Sequence, residues 1–267
     1  MKILLIAIVL LSGHQFAYAD ITLTFNDPLK KTSDNSIIYS IKNHQLKFTT
    51  AKQDITNIYN AKTEELVSLQ SKTAQQSILN KQRLNQHVNQ LNKERIKTLT
   101  KVEANLRGDL ANMTTAQQET AETLINLYKY PEFYGEHTSL IIKPMNRSKL
   151  INGISCQVYH LYKLTDLLKS FCFAEPKSLK ISTIEYNTLR SFYRFNYMIQ
   201  SQILIAKGDT KFTFIDYDQH NIDGVLIEEI NYRKSANTEQ SIASQNVLEK
   251  INNSMLKNTD FSLSTKP

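Results

Sequence analysis

Apolar and polar residues alternate along residues 21–69 with the two-residue period of β-strands. Ile21, Leu23 and Phe25 alternate with threonines, so one face of this segment is apolar and the other polar. Four further apolar segments follow, and they form two pairs. Residues 37–41 and 46–48 are joined by a short polar stretch, and so are residues 55–59 and 66–69. Polar stretches of this kind favour hairpin turns, the first at residues 42–45. The pattern predicts an antiparallel meander.

The apolar period changes to three and four residues over residues 73–130, which predicts helix. The stripe comprises Leu84, Val88, Leu91, Leu99, Val102, Leu106, Leu110 and Met113. Neither Pro nor Gly interrupts residues 73–107, so we expect a rod about 50 Å long at 1.5 Å per residue. We expect a break at Gly108. A second helix is expected to start with a capping box at residues 115–118, or one residue earlier, and to end before Pro131.

Strand periodicity returns in residues 138–173, with a turn expected near Leu164. A helix should then begin with a capping box formed by Ser182 and Glu185. Its apolar stripe contains Leu189, Phe192, Phe195 and Ile199. Such a stripe is typical of packing in the hydrophobic core and also of the lining of an apolar cavity.

Two further strands are predicted towards the end of the chain, at residues 211–217 and 225–232. Phe212 and Phe214 belong to the first of them. We expect residues 241–251 to add an edge strand or a helix, and residues 262–267 to fray.

The first 19 residues have the pattern of a secretory signal peptide. Lys2 precedes an unbroken apolar run over residues 3–11, and Ala17 and Ala19 form a small-residue cleavage site before Asp20. The run is too short for a membrane-spanning helix, although an uncleaved anchor is the alternative interpretation. Cleavage would leave residues 20–267 in an oxidising space, which predicts a periplasmic protein.

The chain has two cysteines, Cys156 and Cys172, which bracket fifteen residues. In an exported protein such a pair predicts a disulfide. The chain-entropy model assigns about 3 kcal/mol of stabilisation to a loop of this length. Placing the two cysteines opposite each other on neighbouring strands centres the turn near Leu164. A free catalytic thiol is the minor alternative, because neither cysteine is accompanied by a Cys-His signature.

The formal net charge is +7, or +6 without Lys2. Seven Lys or Arg and two Glu fall within residues 81–107, along the predicted rod. One interpretation of this positive charge is a solvent-exposed helix surface. The more specific interpretation is contact with an anionic membrane surface or an acidic partner. Arg95 interrupts the apolar stripe, which makes a long self-associating coiled coil the weaker interpretation. Nucleic acid is not expected as a partner, because the basic stretch is not interleaved with aromatics.

Patterns of catalytic and metal-binding residues are missing from the sequence. Residues 153–157 lack the second Gly of a nucleophile elbow, and the chain contains neither a P-loop nor a dinucleotide-binding glycine motif. Asp216, Asp218 and His220 superficially resemble a calcium loop but favour a polar turn. Glu228 and Glu229 point to opposite strand faces and do not form an acid–base couple. We therefore predict no catalytic residues, no metal site and no cofactor.

Short motifs in the second half of the chain resemble an exported bacterial family. Residues 151–159, with Gly153, Cys156 and Tyr159, and residues 171–174, with Cys172 and Ala174, are similar to paired motifs of an uncharacterised branch of exported proteins. Residues 112–118 and 223–226 are similar to two further segments of that branch. The branch is distantly similar to the lipoprotein-carrier (LolA/LppX-like) superfamily.

The resemblance implies an α+β fold, in which a curved antiparallel half-barrel sheet carries helices over its concave face. In the superfamily that cavity holds acyl chains. We expect one domain over residues 20–267, with a long helical insertion at about residues 73–130. The protein is predicted to be a non-enzymatic binding protein for a lipid or another hydrophobic small molecule. The expected cavity-lining residues are Leu189, Phe192, Phe195, Ile199, Phe212 and Phe214.

An alternative function assigns the long helix, residues 73–107, to docking. In this hypothesis the protein is an envelope structural or interaction protein, and its partner is an envelope protein or an anionic membrane surface. Exposed apolar positions such as Leu84, Val88, Leu91, Leu99 and Leu106 would then carry the contact.

Overall fold

The computed structural model of the protein describes residues 20–30, 36–50, 54–109, 112–134, 140–208, 215–234 and 240–261. The predicted signal peptide and the predicted fraying end lie outside the described residues. Within the described residues, eleven strands form one open antiparallel sheet, and four α-helices accompany it. The expected α+β class is confirmed. No helix in the described part of the chain is both long and apolar enough to span a bilayer.

The first half of the sheet is a continuous meander. Its strands are β1 (Ile21–Asn26), β2 (Ile37–Lys42), β3 (Gln45–Thr50), β4 (Ile55–Asn60), β5 (Glu65–Gln70) and β6 (Gln75–Leu79). Asn43 and His44 have φ of 45° and 67° and close the predicted hairpin between β2 and β3. Two positive-φ residues are what a two-residue hairpin loop requires. The alternating pattern therefore predicted β1 to β5 correctly.

Strand β6 shows that the predicted start of the helical rod was wrong. It pairs antiparallel with β5 from Gln70–Gln75 to Leu66–Leu79, so residues 75–79 are sheet rather than helix. The helix begins only at Lys81, because Asn80 Oδ1 accepts a hydrogen bond from the Arg83 backbone N at 3.1 Å. This is the contact of an N-cap.

The helices lie in two places along the chain. They are α1 (Lys81–Asp109), α2 (Thr115–Lys129), the single-turn α3 (Pro131–Tyr134) and α4 (Thr183–Lys207). At 29 residues, α1 is about 43 Å long. It ends beside Gly108, as predicted. Thr114 and Gln117 form the capping box of α2, which confirms the earlier of the two predicted starts.

The second half of the sheet contains β7 (Leu140–Ile151), β8 (Ile154–Lys163), β9 (Asp166–Ala174), β10 (Val225–Lys234) and β11 (Gln240–Asn252). The spatial order is β6-β5-β4-β3-β2-β1-β11-β10-β9-β8-β7. Helices α1 to α3 therefore connect the two edge strands of the sheet, β6 and β7, and α4 connects β9 to β10.

Strand β11 lies in the middle of the sheet, so the predicted edge strand or helix at residues 241–251 was wrong. It pairs with β10 on one side and with β1 on the other. The predicted strand at residues 211–217 is also corrected in its described part: Ile215 to Tyr217 form no strand but lead into a turn. Residues 211–214 lie outside the described residues.

Helix α4 packs on the first half of the sheet through aromatic rings. The Phe192 centroid lies 6.2 Å from that of Tyr39 on β2, 5.2 Å from Phe48 on β3 and 5.6 Å from Tyr59 on β4. Tyr59 is fully buried, and its hydroxyl lies 2.8 Å from Ser191 Oγ. One helix thus contacts three successive strands, which fixes α4 against this part of the sheet.

The predicted disulfide between Cys156 and Cys172 is confirmed, with a Cα–Cα distance of 5.4 Å. It joins β8 and β9, whose connecting turn lies at Leu164 as expected. The two cysteines are not directly opposite each other, however. Tyr162 pairs with Leu167 beside the turn, and the register then shifts by one residue before Leu161, which places Cys156 opposite Ala174. Cys172 lies opposite Val158, and the bridge runs diagonally between the strands.

Candidate ligand-binding sites

A groove of about 540 Å³ lies between α1, α2 and the C-terminal end of α4. Its apolar lining consists of Leu91, Leu99, Val102 and Tyr128. The three aliphatic residues belong to the predicted stripe of α1, which is buried at Leu99 and 45 % exposed at Val102. The volume falls within the range of about 300–1,000 Å³ that is usual for small-molecule sites. This groove is the more apolar of two candidate sites.

Arg95 holds the groove together by binding the ends of two helices. Its Nε donates to the carbonyl oxygen of Ala206 at 3.1 Å, and its Nη1 donates to those of Tyr128 and Lys129. Carbonyls in the last turn of a helix lack partners within that helix and carry partial negative charge. One guanidinium therefore ties α1 to the C-terminal turns of α2 and α4.

Gly208 allows this close approach. It terminates α4 at a φ of 74°, in the left-handed region that side chains rarely adopt. A Cβ atom at this position would lie 3.1 Å from Tyr128 Cδ1 and 3.2 Å from Arg95 Cδ. Both the backbone conformation and the lack of space therefore require glycine.

A second cavity, which we call the chamber, has a volume of about 180 Å³ and lies between α4 and the sheet. Six aromatic side chains contribute to its wall: Tyr39, Phe171, Phe192, Tyr193, Tyr197 and Tyr217. Polar groups also face it, from Lys169 and Glu229 on neighbouring strands and from Asn196 on α4. The chamber is therefore aromatic and polar, in contrast to the groove.

The two charges of the chamber compensate each other. Lys169 Nζ lies 2.7 Å from Glu229 Oε1, and the two side chains are 14 % and 23 % exposed. The neighbouring carboxylate of Glu228 has its own partner, Lys149 Nζ, at 2.6 Å. The two adjacent glutamates are thus bound by different lysines rather than coupled to each other.

The phenols of the chamber remain protonated at neutral pH. Burial, together with the negative charge of Glu229, raises the pKa of Tyr39 to about 12. Burial also raises the pKa of Tyr193 and of Tyr217. Within the described residues, none of these three hydroxyls makes a hydrogen bond. Towards the described part of the chain, these hydroxyls are donors and acceptors without a protein partner.

The predicted cavity-lining residues fall into different environments. Leu189, Phe192 and Phe195 are buried in the main core, and Ile199 packs against that core from a partly buried position. Of these four, Phe192 also lines the chamber. Phe212 and Phe214 lie outside the described residues.

Sequence reasoning missed the polar residues of both sites. The signal for Arg95 was present, because a charge within an otherwise apolar stripe indicates a specific partner on that face. Lys169 and Glu229 had no such signal, since their pairing depends on the register between β9 and β10.

Residues 216–220 form the predicted polar turn. Asp216 Oδ1 accepts hydrogen bonds from the backbone N of Asp218 at 3.0 Å and of Gln219 at 3.3 Å. Asp218 in turn accepts from Arg190 Nε at 2.5 Å. Within the part of the chain that the structure describes, no three His, Cys, Asp or Glu side chains are grouped to hold a metal ion.

Comparisons with protein-family models, curated proteins and solved structures found no match for this chain. The resemblance to the lipoprotein-carrier superfamily therefore stays a prediction, and the two cavities provide the basis for a functional proposal.

Proposed function

We propose that this protein is a periplasmic, non-enzymatic binding protein for a lipid or another hydrophobic ligand. The observation that carries the proposal is the 540 Å³ groove between α1, α2 and α4, whose walls include Leu91, Leu99, Val102 and Tyr128. The signal-peptide pattern and the disulfide agree with export. The resemblance to carrier proteins also favours a hydrophobic ligand.

The physical basis of binding is burial of an acyl chain. At about 0.8 kcal/mol per CH₂, a 16-carbon chain would contribute roughly 12 kcal/mol before the costs of ordering are subtracted. Arg95 and Lys207 line the groove together with one carboxylate, that of Glu94. Because the cations outnumber the carboxylate, the groove favours a neutral or singly anionic head group.

We further propose that the sheet is curved as a half-barrel and that α4 covers its concave face. An open antiparallel sheet of this many strands tends to curl, because strand twist accumulates. The contacts of Phe192 with rings on β2, β3 and β4 support a helix that lies across a concave surface. A solution scattering profile of the purified protein tests this shape, because a flat sheet would give a longer maximum dimension.

Two measurements test the ligand proposal. Native mass spectrometry of protein purified from the periplasm should show a co-purifying mass that lipid extraction recovers. Uptake of a fluorescent fatty acid should fall by more than tenfold in Val102→Asp, which places a carboxylate in the groove. Ile96→Asp is the matched control, since Ile96 lies on the same helix, is 55 % exposed and does not line the groove. Equal uptake by both variants, or no ligand at all, would refute the proposal.

A docking function for the helical insertion is the second candidate. Leu84 and Leu99, which were expected among the exposed docking positions, are buried and offer no docking surface. Docking is instead favoured by other exposed apolar side chains on α1 to α3, among them Ile96, Leu124 and Phe133, which is 73 % exposed. Site-specific photocrosslinking in the periplasm tests it. A crosslinker at Phe133 should capture an envelope partner, whereas one at Leu164, which is 75 % exposed in the β8–β9 turn, should not. Capture from both positions, or from neither, would contradict docking through the insertion.

A further inference from the structure

We infer that the chamber is a separate binding site for a neutral, polyhydroxylated ring of about the size of one monosaccharide or cyclitol. The inference goes beyond the proposed hydrophobic ligand, because the chamber lies between α4 and the sheet and shares no lining residue with the groove.

The aromatic rings of the chamber pack against one another. Tyr217 contacts Tyr193 and Phe171 with centroid distances of 5.8 and 6.1 Å, and Phe192 contacts Tyr193 at 6.4 Å and Tyr39 at 6.2 Å. Rings that pack against each other are held in place before a ligand arrives, so little ordering cost remains. A sugar or cyclitol ring has an apolar C–H face that suits contact with such a wall.

The chamber also supplies hydrogen-bonding groups. The hydroxyls of Tyr39, Tyr193 and Tyr217 make no hydrogen bond within the described residues. Asn196 Oδ1 accepts from Gln200 at 2.8 Å, which leaves its amide N–H groups for another acceptor. A ring of hydroxyls that both donate and accept matches this set.

The charge distribution of the chamber favours a neutral ligand. Lys169 and Glu229 neutralise each other at 2.7 Å, and the surrounding phenols are uncharged at neutral pH. A charged ligand would have to break this ion pair or remain unpaired in a partly buried site, which is unfavourable. The chamber therefore discriminates against organic cations and anions in favour of a neutral ligand.

The volume of the chamber suits a single ring. An apolar cavity of about 150 Å³ is known to accept benzene. At about 180 Å³ the chamber has room for one six-membered ring, and its polar wall distinguishes it from a dry apolar void.

The test uses the full mature chain and saturation-transfer NMR with D-glucose, D-galactose and myo-inositol as probes. At least one of the three should bind saturably, while choline, acetate and cyclohexanol should not. Tyr193→Phe and Tyr217→Phe each remove one hydroxyl but keep the ring, and each should weaken binding about tenfold. Tyr159→Phe is the matched control, since Tyr159 contacts Phe173 but does not line the chamber.

Three results would overturn the inference. They are no saturable binding of any polyol, binding of choline in place of the polyols, and polyol binding that neither phenylalanine substitution weakens. Methyl and octyl glucoside, the latter below its micelle concentration, then distinguish the source of the ring. Equal affinities for the two glucosides would identify the ligand as a free sugar. Much tighter binding of octyl glucoside would identify it as the head group of a glycolipid. Loss of fatty-acid uptake without loss of polyol binding in Val102→Asp separates this inference from the proposed function.

Discussion

The groove and the chamber are built by opposite means. The groove is a gap between three helices, with aliphatic walls from one helical stripe and a single arginine that binds two helix ends. The chamber is enclosed by a helix and strands far apart in sequence, and its walls are rings and polar groups. A groove between helices depends on how the helix ends are joined, whereas the chamber depends on the register of the sheet.

This difference predicts that the two sites fail independently. Disturbing a helix end should open the groove and leave the chamber intact. Disturbing β9 or β10 should do the reverse, because Lys169, Phe171 and Glu229 lie on these two strands.

Replacing both Cys156 and Cys172 with serine should lower the free energy of unfolding by about 3 kcal/mol. The bridge anchors β9 to β8, so the substitution should loosen the chamber first. Chemical denaturation followed by circular dichroism measures the loss, and fatty-acid uptake below the unfolding transition should be preserved. Alkylation of both cysteines in the unreduced, denatured protein would show that no bridge exists.

Arg95→Met should lower the free energy of unfolding by about 2 kcal/mol, because carbonyls at the ends of α2 and α4 lose a charged donor. Fatty-acid uptake should also fall in this variant, while the pKa values of the chamber tyrosines should remain raised. Arg107→Met is the matched control on the same helix. Its pair with Glu103 is exposed to solvent, so the substitution should leave the free energy of unfolding nearly unchanged. A similar loss in both variants would contradict the helix-tying role of Arg95.

Tyr39 should make stability depend on pH in the alkaline range. Its pKa is raised from 10.0 to about 12 in the folded protein, so its contribution is complete below pH 10 and is lost as the pH rises through about 12. In Tyr39→Phe, the decrease in the free energy of unfolding over this pH range should be about 2 kcal/mol smaller. Rapid denaturant titrations at pH 9 and pH 12 compare the two proteins. Parallel curves would mean that Tyr39 titrates normally.

Gly208→Ala should destabilise the protein by about 1 kcal/mol, since alanine is strained at a φ of 74° and its Cβ would approach Tyr128 and Arg95. Gly108→Ala is an informative control. It lies within α1 with nothing within 4 Å of a Cβ, so alanine there should stabilise by up to about 1 kcal/mol. Thermal unfolding of the two variants should therefore shift in opposite directions, and a shift of the same sign would refute the tight contact at Gly208.

The parts of the fold that were predictable depend on local pattern. Strands β1 to β5 and the caps at Thr114 and Ser182 follow from residues near each other in sequence. Strand β6 was missed because Gln75, Gln76 and Ser77 hide its alternation within a stretch free of Pro and Gly. The central place of β11 depends on pairing with β1, which local pattern does not encode.

The candidate sites, too, were predictable only where they depend on local sequence pattern. The apolar stripe of α1 was visible in the sequence, and it supplies the aliphatic wall of the groove. The chamber was not predictable, because Tyr39, Glu229 and Tyr193 are brought together only by sheet register and by the packing of α4. Arg95 was visible as an irregularity, but its partners at Ala206 and Lys129 were not.

The pairing of β1 with β11 has a consequence for how the chain reaches its final state. It is a seam between two meanders, and the contact of Asn26 with Glu249 across it joins residues 223 positions apart. Contacts of such high sequence separation carry a large closure entropy and form slowly. Until the seam closes, β1 and β11 each present an unpaired edge, the usual starting point of aggregation. We therefore expect the newly synthesised chain to be most vulnerable to aggregation between the folding of its two halves and the pairing of β1 with β11.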